Sequence, residues 1–389
     1  MNNNCKIVFV SNFFNHHQKY LSNSFYNMIG DNYCFIETGR ISKERLGMGW
    51  GEKELPIYVK QNYTSKKSQD ECQKLIDNAD FVIIGSAPEE LIKARKSAGK
   101  PIFRYSERPL KNGFEPIKYI PRLLRWHRRN PCRKLMYMLC ASAYTAADYA
   151  KFGLFKNKCY KWGYFTEVKR YDDVEKLISA KKPASILWVA RLMELKHPDV
   201  SIRIAKRLKE SGCEFKLNII GTGAMEQELK KMISDYNLEN EVHMLGSMKP
   251  EQVREHMEQS QIFLFTSDRN EGWGAVLNES MNSACAVVAS HEIGSVPFLL
   301  KNGENGLIYK DGDEEDLYRK VKLLLDNRDL CRKYGRKAYL TMTEEWNPQI
   351  AAERFIKLSE AILNGNKQPD LFASGPCSKA EILKDDWYK

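Results

Sequence analysis

The 389-residue sequence lacks any apolar run near the roughly 18 to 20 residues that a membrane-spanning helix needs. Its start does not resemble a secretory signal peptide, and its ten cysteines are scattered without a Cys-x-x-Cys pair or a metal-type spacing. These absences argue against a membrane-spanning protein, a disulfide-stapled domain and a zinc module. We therefore expect a cytoplasmic protein that is soluble or that associates peripherally with the inner face of the plasma membrane.

The sequence also lacks the three-glycine fingerprint of dinucleotide-binding domains. The first strand, predicted over 6–10, is followed by Phe-Phe-Asn-His-His-Gln instead of glycines. A Gly-x-Gly turn does occur at Gly221 and Gly223, but Met225 and Glu226 occupy the region where the third glycine would stand. No dinucleotide cofactor is therefore expected.

The chain does have enough apolar material for two or three domains, since 43% of its residues are hydrophobic. Short apolar runs alternate with helical patterns in both halves, which indicates an α/β fold with parallel sheets. In the first half the patterns predict strands over 6–10, 80–85 and 101–105, and a helix over 19–29. In the second half they predict strands over 185–190, 216–223 and 262–265.

Positive charge is concentrated in the first half of the chain. Residues up to Phe165 hold 28 Lys and Arg against 14 Asp and Glu, whereas the whole chain has a net charge of +11. Residues 118–138 combine cations with Tyr119, Leu124 and Trp126, a pattern that suits an anionic membrane surface. The same stretch would suit nucleic acid, and an ordinary solvated helix face would need neither partner.

The most informative stretch runs from Gln261 to Ser290. An apolar strand leads into a loop with Glu271 and a Gly-Trp-Gly turn, after which 275–284 has helical composition and 286–289 forms a second strand. In such a parallel unit, ligands bind beyond the carboxyl ends of the strands. Glycines let the backbone approach a ligand closely. The first N–H groups of the helix would then face an anion such as a phosphate, and they belong to Gly274, Ala275 and Val276.

Two carboxylates, Glu271 and Glu279, flank this predicted anion site. Because eight helical steps would place them on different faces, we assign Glu271 to the loop and Glu279 to a position one turn into the helix. A carboxylate near a helix N-terminus also stabilises the helix by roughly 0.3 to 1 kcal/mol, so a purely structural role for Glu271 stays open.

The segment EGWGAVLNE resembles the Glu-x7-Glu signature of the retaining glycosyltransferases of family 4. Arg191 and Lys196 follow the strand over 185–190 and are similar to the paired cations of that family's Arg-x4-Lys element. The resemblance is most specific over 185–309. It implies the GT-B architecture, in which two Rossmann-like parallel-sheet domains face each other across a cleft.

On this resemblance we divide the chain into an acceptor-binding domain and a nucleotide-sugar-binding domain. The first covers 1–166 and is completed by a C-terminal helix and tail over about 345–389, and the second covers 183–344. The charged and weakly patterned stretch over 167–182 is expected to be a hinge.

The resemblance also implies the reaction and the roles of the donor-side residues. A sugar would move from a UDP- or GDP-linked donor to an acceptor hydroxyl, with retention of the anomeric configuration. Arg191 and Lys196 would bind the diphosphate, whose negative charge grows as the glycosidic bond breaks. Glu271 would bind the donor sugar, and Glu279 would bind the ribose hydroxyls. The loop beside the nucleotide base would contain Ser247 and Met248.

Four residues are candidates for the acceptor side, namely His16, His17, Glu107 and Arg108. Each pair also has a simpler interpretation. His16 and His17 would be a solvated pair, and Glu107 and Arg108 would be a surface ion pair. No metal is expected, because cations and a helix dipole would already neutralise the phosphates and no obvious Asp-x-Asp motif stands at the cleft.

The expected partners are a nucleotide-sugar donor and a saccharide or lipid-linked acceptor of cell-surface polysaccharide or glycolipid assembly, with no nucleic acid. Two other classes stay open. One is a sugar-nucleotide epimerase of the same architecture, and the other is a non-catalytic basic protein that binds lipid or nucleic acid.

Overall fold

A computed structural model describes residues 5–42, 54–131, 135–384 and 387–388 of the chain. These residues divide between two compact units, one within Met1–Thr166 and Asn347–Trp387 and the other within Glu167–Trp346 and Tyr388–Lys389. Each unit is built on a parallel sheet, so the predicted α/β class with two Rossmann-like domains is confirmed. Among the helices in the described ranges, none combines the length and apolar character that crossing a bilayer requires.

In the described ranges the strands are β1 Ile7–Ser11, β2 Tyr33–Glu37, β3 Val59–Gln61, β4 Phe81–Ile84, β5 Ile102–Ser106, β6 Met136–Cys140, β7 Cys159–Lys161, β8 Ser185–Val189, β9 Lys216–Ile220, β10 Val242–Met244, β11 Ile262–Phe265, β12 Ala286–Ser290 and β13 Leu307–Tyr309. Over these residues the first unit contains a seven-stranded parallel sheet in the order β3-β2-β1-β4-β5-β6-β7, and the second a six-stranded parallel sheet in the order β10-β9-β8-β11-β12-β13. The central strands are buried along their length, as their unbroken apolar runs predict.

Helices connect the strands in both units. In the described ranges they are α1 His16–Ile29, α2 Lys66–Asn78, α3 Lys93–Ala98, α4 Tyr119–Arg129, α5 Thr145–Ala150, α6 Val174–Ala180, α7 Pro198–Glu210, α8 Glu226–Asp235, α9 Pro250–Gln259, α10 Val276–Asn282, α11 Val296–Leu299, α12 Glu314–Asp326, α13 Arg328–Leu340 and α14 Pro348–Leu363. The predicted hinge over 167–182 contains α6 and packs with the second unit. Helix α13 has no counterpart among the sequence-based predictions.

The first helix begins earlier than predicted. It starts at His16 rather than at Lys19, because the side chain of Asn15 accepts a hydrogen bond from the N–H of His17 at 2.8 Å and caps the helix. The two adjacent histidines therefore lie in the first turn of a helix and not in a loop.

The last helix, α14, packs in the first unit. Its Phe355 ring lies 5.6 Å from the ring of Phe25 in α1 and 4.8 Å from that of Phe103 in β5. The predicted C-terminal helix, expected from about 345, begins at Pro348, and Thr341–Glu345 before it form a π-helical turn.

The segment after α14 covers the edge strand of the first sheet. The N–H of Lys161 in β7 donates to the carbonyl of Ser378 at 2.8 Å, and the N–H of Cys377 donates to the carbonyl of Lys161 at 2.8 Å. An uncovered edge strand offers unpaired backbone groups to other chains. The tail therefore removes a site of edge-to-edge association.

The buried side chain of Lys181 joins the start of the second unit to two of its helices. Its side chain is buried, and its ammonium group donates hydrogen bonds to the carbonyl oxygens of Met257, Ser260 and Ser283 at 2.9, 2.9 and 2.8 Å. Because Met257 lies in the last turn of α9 and Ser283 follows α10, one cation neutralises the negative ends of two helices. Burial lowers the pKa of Lys181, since the charged form loses its hydration.

A charged cluster lies near the carboxyl ends of β4 and β5 in the first unit. Arg104 donates to both carboxylate oxygens of Glu89 at 2.5 and 2.8 Å, and Lys96 donates to one of them at 2.9 Å. Burial alone would raise the pKa of Glu89. The two cations outweigh that effect and lower the pKa to about 2.

Replacing Glu89 by Gln should reduce the free energy of unfolding at neutral pH by about 3 kcal/mol, because the native fold favours the ionised carboxylate. This contribution is complete above the ordinary pKa of 4.5 and is lost as the pH falls through about 2. Urea titrations should therefore show the native protein and the variant converging in acid. The neighbouring exposed Glu90 provides the control, and a loss of equal size in Glu90→Gln would contradict the assignment.

Candidate active site

The second sheet changes its winding direction between β8 and β11. From β8 the chain winds outward through β9 and β10 on one side, and it returns to β11 on the other side before β12 and β13. The loops that follow two such strands diverge and leave a crevice at the carboxyl edge, the usual ligand position in open parallel sheets. Arg191 and Lys196 lie on the loop after β8, and Glu271 lies on the loop after β11.

This geometry brings Lys196 and Glu271 into direct contact. The Nζ of Lys196 forms an ion pair and a hydrogen bond with Oε2 of Glu271, and the hydroxyl of Ser267 donates to the same oxygen at 3.1 Å. The Lys196 and Glu271 side chains are 14% and 12% exposed, so most solvent is excluded while the charged groups stay reachable. Partial burial strengthens their attraction relative to that of a fully exposed pair.

Hydrogen bonds fix the two loops against each other. The N–H of Asp268 donates to the carbonyl of Leu195 at 3.1 Å, and the hydroxyl of Thr266 donates to the carbonyl of Lys196 at 2.7 Å. Thr266 also accepts a hydrogen bond from Nε1 of Trp188 in β8 at 2.8 Å. The position of Lys196 is therefore set by the ends of both strands.

Gly274 has to be glycine because of both its backbone angle and its surroundings. Its φ angle is +83°, and a Cβ atom there would lie 2.3 Å from the ring of Phe265 and 3.2 Å from Cγ of Glu271. The backbone can turn this close to the two side chains only in the absence of a side chain of its own.

Helix α10 begins directly after this turn. Within the described residues no acceptor is found for the N–H groups of Gly274, Ala275 and Val276. The carbonyl groups of Gly274 and Ala275 accept hydrogen bonds from Leu277 and Glu279 at 3.0 and 3.3 Å, so the chain is already helical here. Free donors at a helix start suit an anion.

Glu279 lies one turn into α10, as predicted, and is partly buried. Its carboxylate has no hydrogen-bond partner among the described residues, although its backbone carbonyl accepts from Arg254 at 3.3 Å. Burial raises the pKa of Glu279, while the charge of Arg254 opposes that rise and Glu167 adds to it. A half-buried carboxyl group with free lone pairs is a ready partner for ligand hydroxyl groups.

Arg191 is exposed, and its guanidinium makes no ion pair with the residues that the structure describes. Glycines in the next loop allow close packing against its backbone. A Cβ atom on Gly221 would lie 1.8 Å from the carbonyl oxygen of Ala190, and one on Gly223 would lie 2.3 Å from that of Leu192. The Gly-x-Gly turn therefore serves backbone packing beside Arg191.

Ser247 and Met248 follow β10 at the same carboxyl edge of the sheet. The carbonyl of Gly246 accepts from the N–H of Gly221 at 2.8 Å, which joins the loops after β9 and β10. Ser247 is exposed and Met248 is half-buried. The structure thus places every predicted donor-side residue at or near one edge of the second sheet, with Lys196 in contact with Glu271.

Three of the four acceptor-side candidates are joined in the first unit. The ring of His17 stacks on that of Tyr164 with their centroids 5.2 Å apart, and the ring of His16 lies 3.9 Å from that of His17. The Tyr164 hydroxyl donates to Glu107 at 2.6 Å, and Lys111 donates to the other carboxylate oxygen at 2.6 Å. His16, His17 and Glu107 therefore belong to one cluster around Tyr164.

His17 is neutral in this cluster. Burial, with a smaller contribution from His16, lowers the pKa of His17 to about 3. A neutral imidazole has one nitrogen that donates and one that accepts. His17 therefore contributes hydrogen-bonding capacity rather than positive charge to the cluster.

Arg108 pairs with Asp148 and not with Glu107. Its Nη2 lies 3.3 Å from Oδ1 and its Nε 3.4 Å from Oδ2, and the two side chains are 4% and 1% exposed. The guanidinium also lies 4.5 Å from the ring centroid of Tyr144. The interpretation of Glu107 and Arg108 as a surface ion pair is therefore wrong. Arg108 forms a buried ion pair with Asp148, and breaking that pair would leave an uncompensated charge in the interior.

Two polar residues of these clusters have no sequence-based prediction. Ser267 lies two residues after the end of β11 and four before Glu271, so its place after a buried strand is a signal that could have indicated it. Tyr164 lies 57 residues from Glu107, and no local pattern connects the two. Within the described residues no three His, Cys, Asp or Glu side chains gather as metal ligands would.

Gly274→Ala should lower the free energy of unfolding more than Gly303→Ala, although the two φ angles are similar at +83° and +78°. The left-handed backbone costs an alanine about 1 to 2 kcal/mol at either position. A Cβ atom at Gly303 has no atom within 4 Å, whereas one at Gly274 clashes with Phe265. Urea denaturation of both variants measures the difference. Equal losses would show that the Gly274 turn has room for a side chain.

Residues 169–341 match the family model described as Glycosyl transferases group 1. The matched segment is less than half of the chain. The chain is 34% identical over 141 residues to the amylovoran biosynthesis glycosyltransferase AmsK of Erwinia amylovora, covering 35% of this chain and 34% of that protein. It is 33% identical over 159 residues to the N-acetylgalactosamine-N,N'-diacetylbacillosaminyl-diphospho-undecaprenol 4-alpha-N-acetylgalactosaminyltransferase of Campylobacter jejuni, covering 41% of this chain and 42% of that protein. The chain therefore spans less than half the length of either curated relative.

A likeness to a solved structure extends over nearly the whole chain. The crystal structure of Alr3699/HepE from Anabaena in complex with UDP has a TM-score of 0.66, covers 92% of this chain and 100% of its own, and is 15% identical. At that identity the likeness concerns the fold. The chain thus has the two-domain GT-B fold, and its residues 169–341 carry the sequence pattern of the glycosyl transferases of group 1.

Proposed function

We propose that the protein is a retaining glycosyltransferase of the family 4 type, which moves a sugar from a nucleotide diphosphate to an acceptor hydroxyl in the assembly of a cell-surface polysaccharide or glycolipid. The observation that carries this proposal is the contact of Lys196 with Glu271 beside the free N–H groups at the start of α10. This arrangement places a cation, a carboxylate and a turn suited to anion binding where the strand order of the sheet reverses. The segment that matches group 1 glycosyl transferases covers all three.

The donor diphosphate would bind between cations and backbone donors. Lys196 would share its charge between Glu271 and the phosphates, and the unpaired guanidinium of Arg191 would supply forked hydrogen bonds. The N–H groups of Gly274, Ala275 and Val276 would bind further phosphate oxygens. As the glycosidic bond breaks, negative charge accumulates on the leaving group, and these fixed positive groups stabilise it.

The two carboxylates would bind the sugars on either side of the diphosphate. Glu271, held by Lys196 and Ser267, would accept hydrogen bonds from the donor sugar and favour the positive charge that develops on its anomeric carbon. Glu279, whose carboxylate has no hydrogen-bond partner among the described residues, would accept hydrogen bonds from the ribose hydroxyls. The loop with Ser247 and Met248 would lie beside the base.

No metal is part of the proposed reaction. The cations and the helix start supply the positive charge that a divalent ion would otherwise provide. The leaving phosphate would assist removal of the acceptor proton on the same face of the sugar, which is how retention would arise.

The acceptor would be a saccharide or a lipid-linked saccharide. Support comes from the names of the two curated relatives, one of which acts in amylovoran biosynthesis and the other on a diphospho-undecaprenol compound.

For the leaving nucleotide we propose UDP or GDP, and the solved structure of Alr3699/HepE contains UDP. Acceptor hydroxyl groups would bind the cluster of His16, His17, Tyr164 and Glu107 in the first unit.

Glu271→Gln should lower kcat by about 100-fold or more, because it removes a charge that acts on the transition state. The free energy of unfolding should fall by about 1 to 3 kcal/mol, because the amide leaves the largely buried Lys196 without its ion-pair partner. A panel of UDP- and GDP-sugars, with and without a lipid-linked acceptor, provides the assay. The exposed Glu304 in the same unit provides the control variant, Glu304→Gln, with unchanged turnover.

If Glu271→Gln turned over like the native protein, this carboxylate would have no part in the reaction. An isomerised donor sugar in the absence of acceptor would indicate an epimerase instead. Proton NMR of the product should show the anomeric configuration of the donor, and the opposite configuration would rule out retention.

Lys196→Ala should weaken the binding of UDP or GDP by roughly tenfold to a hundredfold, the size expected for losing one charged hydrogen bond. Isothermal titration calorimetry measures the dissociation constant directly. The exposed Lys301 offers a matched variant, Lys301→Ala, that should bind like the native protein. Undiminished affinity in Lys196→Ala would place the diphosphate elsewhere.

A further inference from the structure

Helix α4 and the turn before it, Pro116–Lys118, present an unusual surface on the first unit. Three large aliphatic side chains project from one side, and Ile117, Ile120 and Leu124 are 96%, 66% and 67% exposed. Their spacing of three and four residues places them on one helical stripe. With Arg125 and Arg128, which flank the stripe, they form what we call the outer face of α4.

The opposite side of α4 is firmly packed. The ring of Trp126 lies 4.5 Å from that of Phe152, and the ring of Tyr119 stacks on Phe152 at 5.2 Å. His127 is hydrogen-bonded through Nε2 to the carbonyl oxygen of Phe152 at 2.8 Å. The three aliphatic side chains are therefore exposed on a helix whose opposite side is already packed in the core.

Positive charge surrounds the stripe. Residues 114–129 contain five Lys and Arg and one carboxylate, Glu115, which pairs with Lys118 at 2.5 Å and with Arg122 at 3.0 Å. Arg125 and Arg128 form no ion pair with the residues that the structure describes. Lys118, Pro121, Arg122 and Arg125 line a shallow groove on the helix surface. Residues 132–134 of the basic stretch lie outside the described residues.

We propose that the outer face of α4 docks on an anionic lipid bilayer. Aliphatic side chains that project from a cationic helix can enter the acyl boundary while the cations contact lipid phosphates, which is the pattern of an interfacial helix. Single-stranded nucleic acid favours exposed aromatic rings on which bases stack, and the aromatic residues of α4 face inward. A second copy of the chain would bring two faces of the same positive charge together.

Flotation of the full-length protein with vesicles tests this surface. Binding should be strong to vesicles of phosphatidylcholine and phosphatidylglycerol in equal amounts, weak to phosphatidylcholine alone, and reduced by salt. The double variant Ile120→Ser and Leu124→Ser should weaken partitioning at least about tenfold, because its aliphatic area no longer enters the membrane. Arg125→Gln and Arg128→Gln should each weaken it about fivefold.

Ile57→Ser is the matched control. Ile57 is 74% exposed in the same unit but lies outside α4, so its replacement should leave vesicle binding unchanged. Circular dichroism melting curves that coincide for all variants verify that folding is intact. Transfer to a soluble acceptor should persist in every α4 variant, so the docking surface and the proposed reaction can fail separately.

Several results would overturn the proposal. They are absence of vesicle binding, equal binding to neutral and anionic vesicles, and an equal loss in Ile57→Ser. Binding of an oligonucleotide that disappears in the same α4 variants would assign the face to nucleic acid. Self-association in sedimentation velocity that disappears in them would assign it to a second copy of the chain.

Discussion

The contact of Lys196 with Glu271 depends on the order of strands in the second sheet. The two residues are 75 positions apart in the sequence, and they meet because β8 and β11 are neighbours in the sheet. If the chain had wound in one direction only, β9 and β10 would lie between these two strands and keep their loops apart. The ion pair is thus a product of topology, and the turn at Gly274 brings backbone N–H groups to the same place. Strand order and the glycine turn therefore bring two opposite charges and backbone N–H groups together.

The two carboxylates of this site have different surroundings. Glu271 accepts hydrogen bonds from a cation and a hydroxyl group on one oxygen. Glu279 has no such partner among the described residues, and burial raises its pKa. Chemically identical side chains eight residues apart therefore differ in the hydrogen bonds that they can still accept.

Sequence patterns predict those features of this protein that arise within a short window. The apolar run of β11 and the glycine turn after it lie together in the sequence, so both strand and turn are where the pattern places them. Helix α1 begins three residues before its predicted start, because the side chain of Asn15 caps it and a cap of this kind adds nothing to the apolar pattern. The pattern does not predict α13, because Asn327 alone separates it from α12, without a glycine or proline to mark the break. The pairing of Arg108 with Asp148 spans 40 residues, and no local pattern contains it.

Lys181 determines where the second half of the chain can be cut to give an independently folding fragment. A fragment that began at residue 183 would keep every strand of the second sheet but would omit the ammonium group. The carbonyl groups of Met257, Ser260 and Ser283 would then each lose a charged hydrogen bond in the interior. A hydrogen bond to a charged group contributes about 1.5 to 3 kcal/mol, and the sum approaches the whole stability of a small domain. A self-sufficient fragment must therefore begin upstream of α6, near Glu167.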